Sequence, residues 1–327
     1  MNFLRLKKHL DKFLPLYVII FMLLGFYTGL HVNVKKYGAM LKILNQIVVI
    51  SMIYPMMINL RIEALKRASK SLKQLAIALV MGLVYAPLLM YGLAIISNVN
   101  NQLALGLLLA VVVPCSSMSI AYTGFTEGNL ELATIIVAMS FTLAIITVPG
   151  WLSLFASQYN IPLPIWLLIK TIIIVVFIPL IFGYITRISL IKKAGVEKFE
   201  EIKPLFPSIS LLGMYAIVFL IFMEKASLIA KKPDMVMSAL LPLVLYYAIT
   251  LLLFTFMNKK VGIPYEDHMA ITFTSTGKNE GTAMAIAMAA GMGLMAIPPA
   301  ITPLLQIPFL IGYVKLWKKI RKYWAIK

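Results

Sequence analysis

Apolar residues occupy this chain in blocks of about twenty, and the polar residues gather in short clusters between the blocks. Leu14 to Leu30 reads LPLYVIIFMLLGFYTGL, and Ile172 to Tyr184 reads IIIVVFIPLIFGY. These blocks show no narrow apolar stripe. A helix that is apolar all round belongs in lipid or in the middle of a large bundle, and roughly 20 such residues cross the ~30 Å of hydrocarbon in a bilayer. The pattern predicts ten transmembrane helices: Phe13–Leu30, Gly38–Leu60, Gln74–Ile96, Leu103–Gly124, Leu130–Ala156, Leu163–Thr186, Leu205–Met223, Met235–Phe256, His268–Leu294 and Ile297–Val314.

Composition removes the soluble alternative. Of 327 residues, 61% are hydrophobic and 13% charged, and the mean hydropathy is +0.93. A soluble domain is roughly 45–50% apolar and about 25% charged, so this chain lacks the polar surface that water requires. The net charge of +18 does not indicate nucleic acid, because the basic residues sit in short clusters between apolar blocks, as in the cytoplasmic loops of membrane proteins. One cysteine, Cys115, allows no intrachain disulfide. The basic start, Met1 to Lys12, leads into a block too long for a signal-peptide core and without a small-residue cleavage site, so Phe13–Leu30 is read as the first span.

Charge tests the count. With the N-terminus cytoplasmic, the inside segments carry Arg5, Lys7, Lys8 and Lys12; Arg61, Lys66, Arg67, Lys70 and Lys73; Arg187, Lys192, Lys193, Lys198 and Lys203; Lys259 and Lys260; and Lys315, Lys318, Lys319, Arg321, Lys322 and Lys327. The outside segments carry only Lys35, Lys36, Lys225, Lys231 and Lys232, a ratio of 22 to 5. A miscounted span would scramble that asymmetry from that point on. Ten spans with both termini inside divide into two halves, 1–156 and 157–327. Five spans per half make the halves inverted repeats, a common plan of secondary transporters, in which the site lies at mid-membrane in broken helices at matching positions.

Spans 4 and 9 hold such matching positions. In span 4, Pro114, Cys115, Ser116, Ser117 and Ser119 interrupt LALGLLLAVVVPCSSMSIAYTGF; proline removes a backbone donor and clashes with the preceding turn. In span 9, Thr274, Ser275, Thr276, Gly277, Lys278, Asn279, Glu280, Gly281 and Thr282 form a polar run with two glycines. Backbone leaves the helix inside a membrane only where protein or a wet cavity satisfies it. Of the twelve carboxylates, Glu280 is the one placed at mid-membrane, with Lys278 as its neighbour. A central charge costs roughly 2.5–3.5 kcal/mol on insertion scales and is typically paired and functional. Two readings stand: a structural Lys278–Glu280 ion pair, and a coupling or binding site. The i, i+2 spacing separates the two on a regular helix, and an unwound backbone lets them meet. Cys115 is either a small buried hydrophobe or a ligand in the break. Asn45, Gln46 and Asn59 either face a cavity or bond neighbouring helices. Lys42 and Lys170 either snorkel or face inward. The methionines read as soft packing, and His9, His31 and His268, near span ends, are assigned no role.

At these residues the chain resembles the bile acid:sodium symporter superfamily, which includes the arsenite efflux permeases, from LDKFLPLYVIIFMLLGFYTG to LLQIPFLIGYVKL. PCSSMSIAYTGFTEGN, Pro114 to Asn129, is similar to that superfamily's proline and Ser/Thr-rich break ending in a Gly-Asn turn. STGKNEGTAMAIA, Ser275 to Ala287, is similar to its acidic, glycine-containing break in span 9. MIYP, Met52 to Pro55, and Cys115 match the arsenite permeases. Departures accompany these matches. Ser275 stands where the sodium symporters keep a carboxylate and Ile120 where they keep an asparagine; Lys278 and Asn279 occupy the stretch that otherwise supplies sodium ligands. Relative to the arsenite permeases, Pro114 replaces a basic residue and Glu280 lies about one position from their glutamate.

The resemblance implies an all-α membrane protein of ten helices. Spans 4 and 9 would cross in a core domain, spans 1, 2, 6 and 7 would form a panel, and motion of one domain against the other would give alternating access. It implies a substrate site drawn from Cys115, Ser116, Ser117, Ser119, Ser275, Thr276, Lys278, Asn279 and Glu280, with no cofactor and no resident metal. A lysine among sodium ligands would repel sodium and take its place. Burial disfavours the charged forms of lysine and glutamate, so proton exchange at Lys278 and Glu280 can replace sodium binding. The coupling ion is therefore H+ or Na+. The substrate is arsenite or a related oxyanion, exported with Cys115 as a soft ligand, or a small organic anion held by helix N-termini and Lys278. An enzyme is not expected: there is no paired-Asp motif, no Ser-Lys or Ser-His dyad and no metal-spaced histidine cluster. A nucleotide-driven pump would need G-x-x-x-x-G-K-[ST], which does not occur. A receptor or scaffold leaves the two matching breaks unexplained. The lysine content and the uncleaved start point to a plasma membrane.

Overall fold

A computed structural model describes residues 3–61, 63–65, 72–161, 163 and 165–325. Lys66, Arg67, Lys70 and Lys327, counted above as inside charges, lie outside the described residues, as do Met1 and Asn2. The described residues form sixteen α-helices: α1 Phe3–Lys12, α2 Leu14–His31, α3 Gly38–Ile58, α4 Leu72–Val80, α5 Ala86–Ile96, α6 Asn101–Val112, α7 Met118–Phe125, α8 Leu130–Gln158, α9 Ile165–Ile172, α10 Ile178–Ile202, α11 Leu205–Lys231, α12 Pro233–Met237, α13 Leu240–Lys260, α14 Tyr265–Thr276, α15 Glu280–Ala289 and α16 Ile297–Ala325. A π-helical turn, Met81–Tyr85, joins α4 to α5, and another, Ile173–Phe177, joins α9 to α10. Among the described residues, eight helices are long and apolar enough to cross a membrane. The chain is a multi-pass membrane protein.

The remaining two predicted spans are interrupted as their polar residues require. Span 4 is α6 and α7, separated at Val113–Ser117, and span 9 is α14 and α15, separated at Gly277–Asn279. Several ends differ from the pattern. The sixth span runs on as helix to a kink at Gly195, beyond which helix resumes to Ile202; the seventh runs on to Lys231 and the tenth to Ala325. In each case the apolar block ends where the predicted boundary falls, but the residues beyond it are good helix formers with no proline or glycine cap at that point. Lys225 and Lys231 are therefore helical rather than in a loop.

The chain divides into two compact units. The first comprises residues 1–60, 163–236 and 281–303; the second comprises 61–162, 237–280 and 304–327. The first unit holds α2, α3, α10 and α11, and α2 meets α11 through glycines. A β-carbon on Gly29 would stand 2.1 Å from the Met223 carbonyl oxygen, and one on Gly25 would stand 2.3 Å from the Phe219 carbonyl oxygen. This is a small-xxx-small face that lets α2 reach the backbone of α11. Gly29→Val is expected to force the helices apart at a cost of about 1–3 kcal/mol, read as a lower melting temperature and reduced accumulation in the membrane.

The first unit also contains a cavity of about 900 Å³, lined from α3 by Lys42, Asn45, Gln46 and Val49, and from α11 by Glu224 and Lys225. Asn45 donates to Glu224 at 2.7 Å, and Asn59 donates to the Lys203 carbonyl at 3.1 Å. Of the span-2 amides, Asn45 and Gln46 thus face a cavity, Asn45 also bonds a neighbouring helix, and Asn59 bonds the backbone ahead of α11. Lys42 lines the cavity, while Lys170 is exposed.

The second unit is knitted by polar bonds at one end. Asn129 caps α8 by accepting from the Leu132 amide at 3.0 Å. It donates to Asp267 at 2.8 Å, and Gln74 donates to the same carboxylate at 3.0 Å. Arg321 pairs with Glu127 and lies 3.8 Å from Glu266. His268 does lie near a span end, but it is fully buried. Its ring bonds Asn258 at 3.0 Å and Tyr313 at 2.9 Å and stacks on Trp324 at 4.2 Å. It is a packed structural group.

Candidate functional site

Within the second unit the two breaks meet. Pro114 offers no amide, and Gly277 offers no side chain. The chain at each leaves the helix, and the freed backbone groups of one break bond those of the other. The Ser116 amide donates to the Gly277 carbonyl at 2.8 Å, and the Asn279 amide donates to the Pro114 carbonyl at 2.9 Å. Cys115 and Lys278 form the antiparallel bridge between them. This pairing satisfies the backbone that a membrane interior would otherwise leave unbonded.

Gly277 is required by the approach itself. A β-carbon there would stand 2.3 Å from Ser119 Oγ and 2.8 Å from the Phe273 carbonyl oxygen, and Ser119 Oγ donates to the Gly277 carbonyl at 3.0 Å. On the other side, the Gln306 amide brackets the backbone of Lys278. Its oxygen accepts from the Lys278 amide at 2.9 Å, and its nitrogen donates to the Lys278 carbonyl at 3.1 Å. Tyr247 donates to the same Gln306 oxygen at 3.1 Å and fixes its orientation. Gln306 is visible in sequence as a lone amide in an apolar block, LLQIPF, but only the fold reveals what it holds.

The side chains divide into those bonded and those left free. Lys278 is 2% exposed, and its ammonium donates to the Gly82 carbonyl at 3.0 Å. Gly82 lies in the π-helical turn Met81–Tyr85, where i→i+5 bonding loosens the usual ladder. Lys278 and Glu280 form no ion pair. Glu280 is 4% exposed, and neither carboxylate oxygen has a hydrogen-bond partner among the described residues. Lys278 is within electrostatic reach of Glu280 and Cys115. A buried carboxylate without a partner is costly, which marks this point as chemically unusual.

The other candidates have clear places. Cys115 is buried and unoxidised, and its amide donates to Ser140 Oγ at 3.0 Å. Ser116 Oγ accepts from the Met118 amide at 3.2 Å, Ser119 is bonded across the crossing, and Ser117 is exposed. Ser275 Oγ is buried without a partner. Thr276 Oγ1 returns to the Thr272 carbonyl at 2.6 Å on its own helix, and Asn279 is buried beside the Pro114 carbonyl that its amide reaches. The crossing therefore gathers Cys115, Ser119, Ser275, Lys278, Asn279 and Glu280, with Ser117 turned outward. Sequence reasoning missed Gly82, Tyr85, Tyr246, Thr250 and Gln306, which come to the same region from the π-helical turn, α13 and α16. Among the described residues, no three His, Cys, Asp or Glu side chains are grouped as metal ligands would be.

Known proteins bear the same arrangement of sequence. The model of the sodium bile acid symporter family matches residues 46–232. The chain is 26% identical to the arsenical-resistance protein Acr3 of Corynebacterium glutamicum over 331 aligned positions, covering 94% of this chain and 89% of the relative. It is 22% identical to the protein of the same name from Alkaliphilus metalliredigens, covering 83% and 80%. It is 26% identical to the uncharacterized sodium-dependent transporter YocS of Bacillus subtilis, covering 88% and 84%. With more than half of its length matched by the family's model, the chain belongs to the sodium bile acid symporter family.

Proposed function

We propose that this protein is a secondary-active transporter that exports arsenite or a related oxyanion by alternating access, coupled to protons rather than sodium. In this reading ten spans form two inverted halves, 1–156 and 157–327, in a plasma membrane with both termini inside. The unit containing α2, α3, α10 and α11 acts as the panel, and the unit containing the crossing acts as the core. The substrate binds at the crossing through the residues gathered there, Cys115, Ser119, Ser275, Lys278, Asn279 and Glu280; Ser116, Ser117 and Thr276 stand at its margin.

The observation that carries the coupling is the Lys278 ammonium on the Gly82 carbonyl. Unwound backbone carbonyls are sodium ligands in transporters of this plan, and here a tethered cation stands beside the break and takes a carbonyl oxygen of the π-helical turn. A proton taken up or released by the Lys278–Glu280 couple then does what sodium entry does elsewhere. Two relatives named for arsenical resistance favour the substrate, as does a thiol at the crossing. The Cys115 sulfur bonds arsenic by displacing one hydroxyl group of arsenous acid, and the thiol proton leaves with it as water. In cells stripped of other arsenite export, wild-type protein is expected to restore growth on arsenite and Cys115→Ser to restore none. Full resistance with Cys115→Ser would remove the thiol from the mechanism.

A second reading, uptake of a small organic anion with sodium or protons, draws on the 900 Å³ cavity of the first unit, with Lys42 and Lys225 in its wall, and on the relative named sodium-dependent. It requires carboxylate uptake by vesicles that move no arsenite.

A further inference from the structure

The last helix runs on past its apolar block as a basic rod. Beyond Val314, α16 continues through KLWKKIRKYWA, and it carries no acidic residue along its length. At 3.6 residues per turn, Lys315, Lys318, Lys319 and Lys322 fall within an arc of about 100°, and at 1.5 Å per residue they span about 10 Å of the axis. All four are exposed. None makes a hydrogen bond or ion pair among the described residues, and Lys318 lies by the Trp317 ring at 5.6 Å. The opposite face, with Tyr313, Trp317, Ile320 and Trp324, packs on the apolar core of the second unit. Free helix ends fray, but this one is held at three points of the same unit. Lys259 Nζ donates to the Tyr323 carbonyl at 2.6 Å, Trp324 Nε1 donates to the Ile263 carbonyl at 2.8 Å, and Arg321 pairs with Glu127.

We infer that Lys315, Lys318, Lys319 and Lys322 form a docking row for the phosphate groups of anionic lipids at the membrane surface where α16 emerges. Position selects the occupant. The row begins at the residue after the apolar block, on a helix long and apolar enough to cross a membrane, so its ammonium groups stand at headgroup depth. Leu316 is exposed and Tyr323 half-buried on the flank of the row, as at a lipid interface, where aromatic rings and lysine stems sit beside headgroups. Charge selects the headgroup. Four ammonium groups this close repel one another unless anions lie between them, and a basic cluster next to a span is drawn to anionic lipid. A zwitterionic headgroup brings its own cation to the same place and gains less. The row is already ordered by the packing behind it, so binding fixes lysine side chains rather than a whole segment. Through α16 the row is continuous with Gln306, which brackets Lys278, and a lipid on the row steadies the helix that clasps the crossing. The inference is independent of which solute the protein carries.

The test titrates full-length protein in neutral detergent with phosphatidylglycerol or phosphatidylcholine and counts bound lipid by native mass spectrometry. Wild type is compared with the fourfold variant Lys315→Gln/Lys318→Gln/Lys319→Gln/Lys322→Gln. A control of equal charge change, Lys8→Gln/Lys192→Gln/Lys193→Gln/Lys198→Gln, alters lysines exposed on α1 and α10. Phosphatidylglycerol is expected to bind wild type and control at least tenfold more tightly than phosphatidylcholine does. Each lysine contributes about a fivefold change in affinity, so the row variant is expected to lose more than about a hundredfold. Raising salt from about 0.1 M to about 1 M is expected to weaken binding to wild type. The substituted side chains are exposed, so melting temperature in phosphatidylcholine is expected to stay constant; if the fourfold variant is unstable, Lys319→Gln alone reads the row through its fivefold loss. Equal affinity in the row variant and the control would overturn the row as the site. Phosphatidylcholine bound as tightly as phosphatidylglycerol would overturn charge selection. Complete displacement of phosphatidylglycerol by millimolar glycerol phosphate would make a free phosphate the occupant and overturn the lipid.

Discussion

Lys278→Ala is expected to reduce arsenite-driven proton movement a hundredfold or more, because it removes the one cation in electrostatic reach of the buried Glu280 carboxylate and with it one member of the proposed proton-exchanging couple. Glu280 has no hydrogen bond among the described residues to fall back on, and the Gly82 carbonyl loses its donor. Lys278→Gln separates the two roles of the side chain. An amide can still donate to the Gly82 carbonyl but carries no charge, so this variant is expected to fold like wild type and transport like Lys278→Ala. Sodium is expected to restore part of the Lys278→Ala rate, since the space left by the ammonium beside the Gly82 carbonyl and Ser275 can then take an ion. Transport by Lys278→Gln at more than half the wild-type rate would mean that the ammonium is not the coupling charge.

Gly277→Ala is expected to abolish transport with a single added methyl group. Its β-carbon would enter the 2.3 Å gap to Ser119 Oγ and the 2.8 Å gap to the Phe273 carbonyl oxygen. The second obstacle is backbone and cannot rotate away. Relief requires the strand-like pair at Cys115 and Lys278 to separate, which loses the Ser116–Gly277 and Asn279–Pro114 bonds. Overpacking of this kind costs about 1–3 kcal/mol, and each buried backbone group left unbonded adds about 1–3 kcal/mol. Transport is expected to fall to background and the melting temperature by several degrees. Ser119→Ala removes the nearer obstacle, so the double variant Gly277→Ala/Ser119→Ala is expected to recover stability only in part. Wild-type stability and transport in Gly277→Ala would mean that the crossing is not rigid.

The spans were legible because lipid imposes one rule everywhere: about twenty apolar residues per crossing. That rule found the blocks but misplaced their ends: helix continues past Thr186 to a kink at Gly195, past Met223 to Lys231 and past Val314 to Ala325, on local propensity that a hydropathy boundary does not register. The breaks at Pro114 and Gly277 were legible for a local reason, the missing donor and the missing side chain. Their mutual pairing was not. Cys115 and Lys278 are 163 positions apart, and nothing in either segment names the other; only the family resemblance implied that spans 4 and 9 cross. Spacing left the Lys278–Glu280 relation open, since it depends on whether the backbone is unwound. It is unwound, and Lys278 turns to Gly82 on a different segment. Tyr246 was invisible because a tyrosine in an apolar block reads as packing until its buried hydroxyl is found without a partner among the described residues. His268 shows the converse: a titratable residue near a span end is packed between Asn258, Tyr313 and Trp324.

The most direct measurement is internal pH in liposomes reconstituted with wild-type protein, followed on addition of arsenite with sodium present and with sodium absent. Arsenite-dependent proton movement of equal rate in both conditions is the expected result, with Lys278→Gln silent in both. Proton-independent arsenite movement that appears only with a sodium gradient would contradict the role given to Lys278.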